Sequence, residues 1–98
     1  MNSGTSFHRL AELELDEAAQ YYERESAGLG SAFLEAVERC TRAIEKHPEA
    51  GALLSDAVRR RLVGKFPYGV LYRVTRERIR VLAIMNLKRR PLYWAGRR

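Results

Sequence analysis

The sequence predicts an α+β domain of two layers, (β)ααβββ, in which an antiparallel helical hairpin packs on a twisted antiparallel sheet. One observation predicts it, and a second, which bears on partners and not on fold, falls at the same boundary. Apolar residues recur with a helical period through the first half of the chain, then with a period of two from about residue 58. The charge reverses sign at the same place. Residues 1–58 carry five basic and eleven acidic side chains, whereas residues 59–98 carry thirteen basic ones and a single acid, Glu77.

Each element has its own justification. Residues 1–8 are polar, and 5–8 are a candidate short edge strand. Over 10–26, Ala11, Leu15, Ala18 and Tyr22 form one helical stripe, with Glu12, Glu14, Asp16, Glu17, Glu23 and Glu25 on the wet side. Gly28 and Gly30 then break the pattern. A second helix is predicted over 29–47 from Phe33, Val37, Cys40 and Ile44. Lys46 and His47 suit its negative end, and Pro48 stops it. Residues 48–56 read as a loop. Strands follow at 58–63, at 68–74 after a Gly64-Lys65 turn, and from Ile79 to Met85 after a turn at 75–77. Both faces are apolar between Val81 and Met85, as expected of the interior of a sheet covered on one side and gripped on the other.

With 98 residues, one domain is expected. That length excludes a two-domain enzyme, a Rossmann or barrel fold, and a deep cofactor cavity. An apolar fraction of 46% and a charged fraction of 31% fit a globular chain rather than a disordered one. No apolar run approaches the roughly 20 residues that span a bilayer, and the polar start lacks a signal-peptide core. One cysteine fits a reducing cytoplasm.

The basic half predicts a polyanionic partner, either nucleic acid or an acidic protein segment. No metal or cofactor is expected, because His8, His47 and Cys40 stand apart and no phosphate-binding glycine loop follows a strand. Cys40, on an apolar stripe, reads as a buried thiol. Metal-free RNA cleavage would find cations in Arg59, Arg61, Lys65, Arg73, Lys88, Arg89 and Arg90. Its base would have to be Tyr68, Tyr72, Tyr93 or a lysine with a shifted pKa. Cations are ample and proton transfer is poorly provided for, so binding is the stronger reading. Tyr68 and Tyr72 are expected to pack under the helices rather than stack bases, and Trp94 to close the edge of the core.

Several segments in order resemble one known family. They are Glu14-Leu15-Asp16-Glu17-Ala18-Ala19-Gln20-Tyr21-Tyr22, Gly28-Leu29-Gly30 followed by Phe33, and His47-Pro48. Phe66-Pro67-Tyr68, Leu71-Tyr72-Arg73-Val74 and Arg89-Arg90-Pro91-Leu92-Tyr93-Trp94 complete the set. Spread over roughly residues 7–98, they resemble the RelE/ParE toxin family. The resemblance implies two helices on an antiparallel sheet. It also implies the toxin of a type II toxin–antitoxin pair, neutralised by direct contact with a small antitoxin.

Within that family, RelE-like members cleave ribosome-bound mRNA and ParE-like members poison DNA gyrase. Many nuclease members place an arginine between the two sheet aromatics, where this chain has Gly69. Many ParE-like relatives carry His, two residues, Arg, Asp, Pro near the end. Here the run is Asn86-Leu87-Lys88-Arg89-Arg90-Pro91. The resemblance favours a ParE-like gyrase poison that turns over no substrate and forms a hetero-oligomer with its antitoxin in the cytoplasm, away from any membrane. Target and antitoxin are expected on Arg59, Arg61, Lys65, Arg73, Lys88, Arg89, Arg90, Tyr93, Trp94, Arg97 and Arg98. The enzyme alternative uses Lys65, Arg73, Arg89 and Tyr93, with ribosome and mRNA as partners. A non-toxic nucleic-acid-binding module is the third reading.

Overall fold

In a computed structural model, which describes residues 4–90 and 92–98, the chain runs β1 (Thr5–Phe7), α1 (Arg9–Glu25), α2 (Leu29–Lys46), β2 (Ala52–Leu53), β3 (Val58–Leu62), β4 (Tyr68–Thr75) and β5 (Arg78–Asn86). Local chemistry sets the helix ends. His8 caps α1, its Nδ1 accepting the Leu10 N–H at 3.0 Å. Gly28, at φ 88°, turns the chain into α2. There the Glu23 carboxylate accepts the Gly28 and Gly30 N–H groups at 3.0 and 2.9 Å, satisfying donors that α2 itself leaves open. Those two bonds hold the Glu23 carboxyl below its ordinary pKa. A Cβ at Gly30 would lie 2.6 Å from the Ala19 carbonyl oxygen, so glycine is what lets the helices cross so closely.

The sheet has five strands in the order β1-β5-β4-β3-β2. It departs from the expected antiparallel meander in two ways. First, β1 pairs with β5 in parallel, Thr5 opposite Ile79 and Phe7 opposite Val81. The chain leaves β1 over the whole helical hairpin, a crossover long enough to bring back a strand running the same way. Second, the expected 48–56 loop contains β2, which pairs with Arg59 and Arg60. The Leu54 N–H closes that hairpin on the Val58 carbonyl at 2.8 Å.

Helices cover one face. Phe33, Val37, Cys40 and Ile44 of α2 are buried there with Ala11 and Ala18 of α1 and with Val63, Val70, Tyr72, Ile79, Val81 and Ile84 from the sheet side. Tyr22, Phe33, Phe66 and Tyr68 add a ring cluster with centroids 5.0–6.1 Å apart. Tyr72 donates to the Pro48 carbonyl at 2.6 Å and accepts the Gly51 N–H at 3.3 Å, pinning the loop after α2. Burial pushes the Cys40 thiol up to about 11, so it stays protonated among its apolar neighbours.

The opposite face holds a second, smaller core of Val58, Leu71, Leu82, Ala83, Met85 and Trp94. A bulge builds it. Tyr72 faces Val81 and Leu71 faces Ala83, so Leu82 is the extra residue, and Leu82 and Ala83 both join this face. Residues 92–98 lie across it in successive turns, the Ala95 N–H bonding the Leu92 carbonyl at 2.9 Å and the Arg97 N–H the Trp94 carbonyl at 3.1 Å. Trp94 therefore closes a core of its own rather than the edge of the helix-side one. Among the described residues, no helix is long and apolar enough to cross a membrane.

Candidate functional site

Strand alternation sorts the arginines. On β3, Val58 faces the Trp94 side, so Arg60 does too, while Arg59 and Arg61 turn toward the helix side. Arg59 is taken up by the fold, its Nη1 donating to the Glu49 and Gly51 carbonyls at 3.0 and 2.8 Å. Arg61 lies near Cys40, whose thiol bonds the Arg61 carbonyl. On β4 and β5, Arg73 pairs across with Arg80 on the Trp94 face, and Thr75 with Arg78. This face thus collects Arg60, Arg73, Arg78 and Arg80, opposite the acidic helices. Lys65 sits in the β3–β4 turn, separated from Arg73 by most of β4.

The predicted C-terminal residues divide as well. Arg97 forms an ion pair with Glu14 at 2.9 Å, both side chains largely buried. It also donates to the Leu82 carbonyl at 2.9 Å, while Glu14 Oε1 accepts the Ile84 N–H at 2.9 Å. Where β1 ends, these two side chains satisfy the exposed edge of β5 in place of a neighbouring strand. Glu14 is therefore not on the wet side of α1, and Arg97 is held in a structural clasp. Arg98 lends its carbonyl to Arg80 Nε at 3.2 Å.

Tyr93 lies between two cations, with the guanidinium carbon of Arg89 at 4.1 Å and that of Arg97 at 5.1 Å from its ring centre. Burial, reinforced by the Glu14 carboxylate, raises its phenol pKa far above neutrality. Such a phenol serves as a fixed cation platform and not as a proton acceptor. Tyr72 is fully buried and presents no face for base stacking, whereas Tyr68 is packed in the ring cluster but only partly buried, its remaining surface lining open clefts beside Asn86.

Lys88, Arg89 and Arg90 follow β5 at the surface, and Arg89 opens onto a groove. Leu54, Arg60, Met85, Leu87, Arg89, Leu92 and Trp94 line a cavity of about 280 Å³. Leu87 and Leu92 are 41% and 57% exposed, and Leu62 on the same face is 55% exposed. Arg60 reaches the groove by leaning across β4, since a Cβ on Gly69 would sit 2.9 Å from Arg60 Cγ. Glycine at position 69 is thus the space that Arg60 fills. Sequence reasoning missed Arg60, Leu54, Leu87 and Leu92. Period-two alternation from Val58 marks the face of Arg60, but the leucines come from separate loops that only folding brings together.

The sequence profile of the ParE toxins of type II toxin–antitoxin systems, parDE, matches residues 6–91. The chain belongs to the ParE toxin family. A solved structure described as the chromosomal ParDE toxin–antitoxin system from P. aeruginosa has a chain of the same fold, with a TM-score of 0.63 and 18% identity, covering 85% of this chain and 94% of that one. A search of curated proteins produced no match. The expected family and the two-layer fold both hold.

Proposed function

We propose that this ParE-family chain is a cytoplasmic toxin that arrests growth by engaging DNA gyrase without chemistry of its own, and that a cognate antitoxin neutralises it by occupying the groove beside Trp94. The observation that carries this reading is the groove itself, an exposed leucine-lined trough with Arg60 and Arg89 among its lining residues. A segment with apolar side chains spaced to reach Leu54, Leu87 and Leu92, and carboxylates to meet the two arginines, complements it. Opposite charge speeds that encounter and makes its rate fall with salt.

The raised phenol pKa of Tyr93 supports binding over mRNA cleavage, because it holds the one phenol of the enzyme set protonated. The test is induced expression of the wild type and of Arg89→Glu/Arg90→Glu, with supercoiling and translation assays side by side. Growth arrest with inhibited supercoiling, lost in a variant that still folds, is expected. Undiminished arrest by that variant, or arrest with cleaved mRNA and normal supercoiling, overturns the proposal.

A further inference from the structure

A second set of arginines gathers at the other end of the Trp94 face, away from the groove. Arg73 and Arg80 stand directly opposite each other on β4 and β5, with Arg78 opposite Thr75. Arg76 sits in the hairpin turn in a left-handed conformation, φ 51°. Between this hairpin and β1 lies a cleft of about 480 Å³ whose lining includes Gly4, Ser6, Thr75, Arg76, Arg78 and Arg80. None of these residues lines the groove around Trp94.

This arrangement has a cost that the described residues offset only in part, through the Arg98 carbonyl and Ser6 hydroxyl on Arg80 and the single carboxylate of Glu77 in the turn. Like charges directly opposed across a strand pair repel. The ion pairs among the described residues are Glu38–Arg42 and Glu14–Arg97, so none of Arg73, Arg76, Arg78 and Arg80 is in an ion pair there, and Glu77 in the turn is one carboxylate beside four guanidiniums. Arg73 Nε is sealed from solvent and has no hydrogen-bond partner among the described residues. Arg80 is anchored, its Nη1 donating to Ser6 Oγ at 3.1 Å, so its charge is fixed at the cleft rather than free to swing away. Arg78 and Arg80 are two residues apart on one strand, about 7 Å, and Arg73 lies about 5 Å across on the next. A ligand with regularly repeated negative charge relieves this repulsion. The hydroxyls of Ser6 and Thr75 add hydrogen-bonding groups suited to oxyanions, and no aromatic ring lines the cleft to stack a base.

We propose that this arginine cleft binds the phosphodiester backbone of a nucleic acid without reading its bases. The inference stands apart from the gyrase and antitoxin reading, because it concerns other residues and is measured with neither protein present. The test is fluorescence anisotropy of the full chain with a short DNA duplex and with single-stranded RNA of matched length, titrated over about 50–200 mM salt. Binding is expected with a log–log salt slope of about −3, as three or four phosphate contacts require.

The variant Arg76→Gln/Arg78→Gln should lose about tenfold in affinity and about two units of slope. The variant Arg39→Gln/Arg42→Gln removes the same charge from the exposed side of α2 and should change both far less. A circular-dichroism melt checks that each is folded. Tighter binding of one nucleic acid identifies the natural backbone, and equal binding supports recognition of the phosphates alone. No binding by the wild type at low salt, or equal losses in both variants, overturns the proposal. Arg89→Glu/Arg90→Glu should abolish arrest while still binding here, which separates this inference from the toxin reading.

Discussion

The sheet face under the helices and the face under residues 92–98 each contain a sealed apolar cluster, but different amounts of chain close them. On the first, two helices of 17 and 18 residues bury Phe33, Val37, Ile44 and Tyr72. On the second, a short run of turns supplies one large anchor, Trp94, and leaves leucines and arginines open beside it. One face spends its apolar surface on stability. The other leaves part of it exposed, and the arginines on that face look away from the acidic helices. On the proposed function, stability and binding are divided between opposite sides of the same strands.

The strongest way to break this comparison is to empty each core in turn. Phe33→Ala removes a fully buried ring that touches Tyr22, Phe66 and Tyr68. It should cost about 4 kcal/mol and lower stability of the whole molecule in urea unfolding. Trp94→Ala should cost less, about 3 kcal/mol, since only turns rest on it. Its effect should be local, with hydrogen exchange accelerating in residues 92–98 while the amides of α2 stay protected. If α2 loses protection equally, the two faces are one cooperative unit and the division fails.

The smallest expected effect is a pH dependence confined to the helix caps. Loss of hydration, together with Arg97, Arg80 and Arg9, lowers the His8 pKa below 6.5, and only the neutral ring accepts the Leu10 N–H. Because the unfolded chain then binds the proton more readily, this contribution is complete above about pH 6.5 and is lost as pH falls through the folded value. The melting temperature should decline on acidification below about pH 6.5. His8→Asn, which keeps a cap but does not titrate, should remove that part of the decline. Glu23, with its pKa also depressed, should add a second loss in more acidic solution that Glu23→Gln abolishes. A decline unchanged in both variants would place the titration elsewhere.

Much of this was legible because it is periodic. The stripes from Ala11 to Tyr22 and from Phe33 to Ile44, the turn at Gly64-Lys65 and the alternation from Tyr68 to Val74 each repeat within a few residues, and local rules read them. The apolar run from Val81 to Met85 announced the interior of a sheet covered on one side and gripped on the other. It did not announce Leu82 as a bulge, which depends on the register of the facing strand. Nor did the helix-side pattern reveal His8 as a cap or Glu23 as the acceptor for the start of α2, because those roles depend on how the chain turns in space.

The same distinction separates what the sequence determined from what tertiary structure decided. Residue order alone set the helices, the main strands, the segregation of charge and membership of a toxin family, because apolar spacing and motif order are local properties. Folding alone decided that β1 runs parallel to β5, that Arg97 closes on Glu14 across 83 positions, and that Arg60, Leu54, Leu87 and Leu92 meet beside Trp94. Contacts between distant segments carry no period along the chain, so they become visible only when the chain closes on itself.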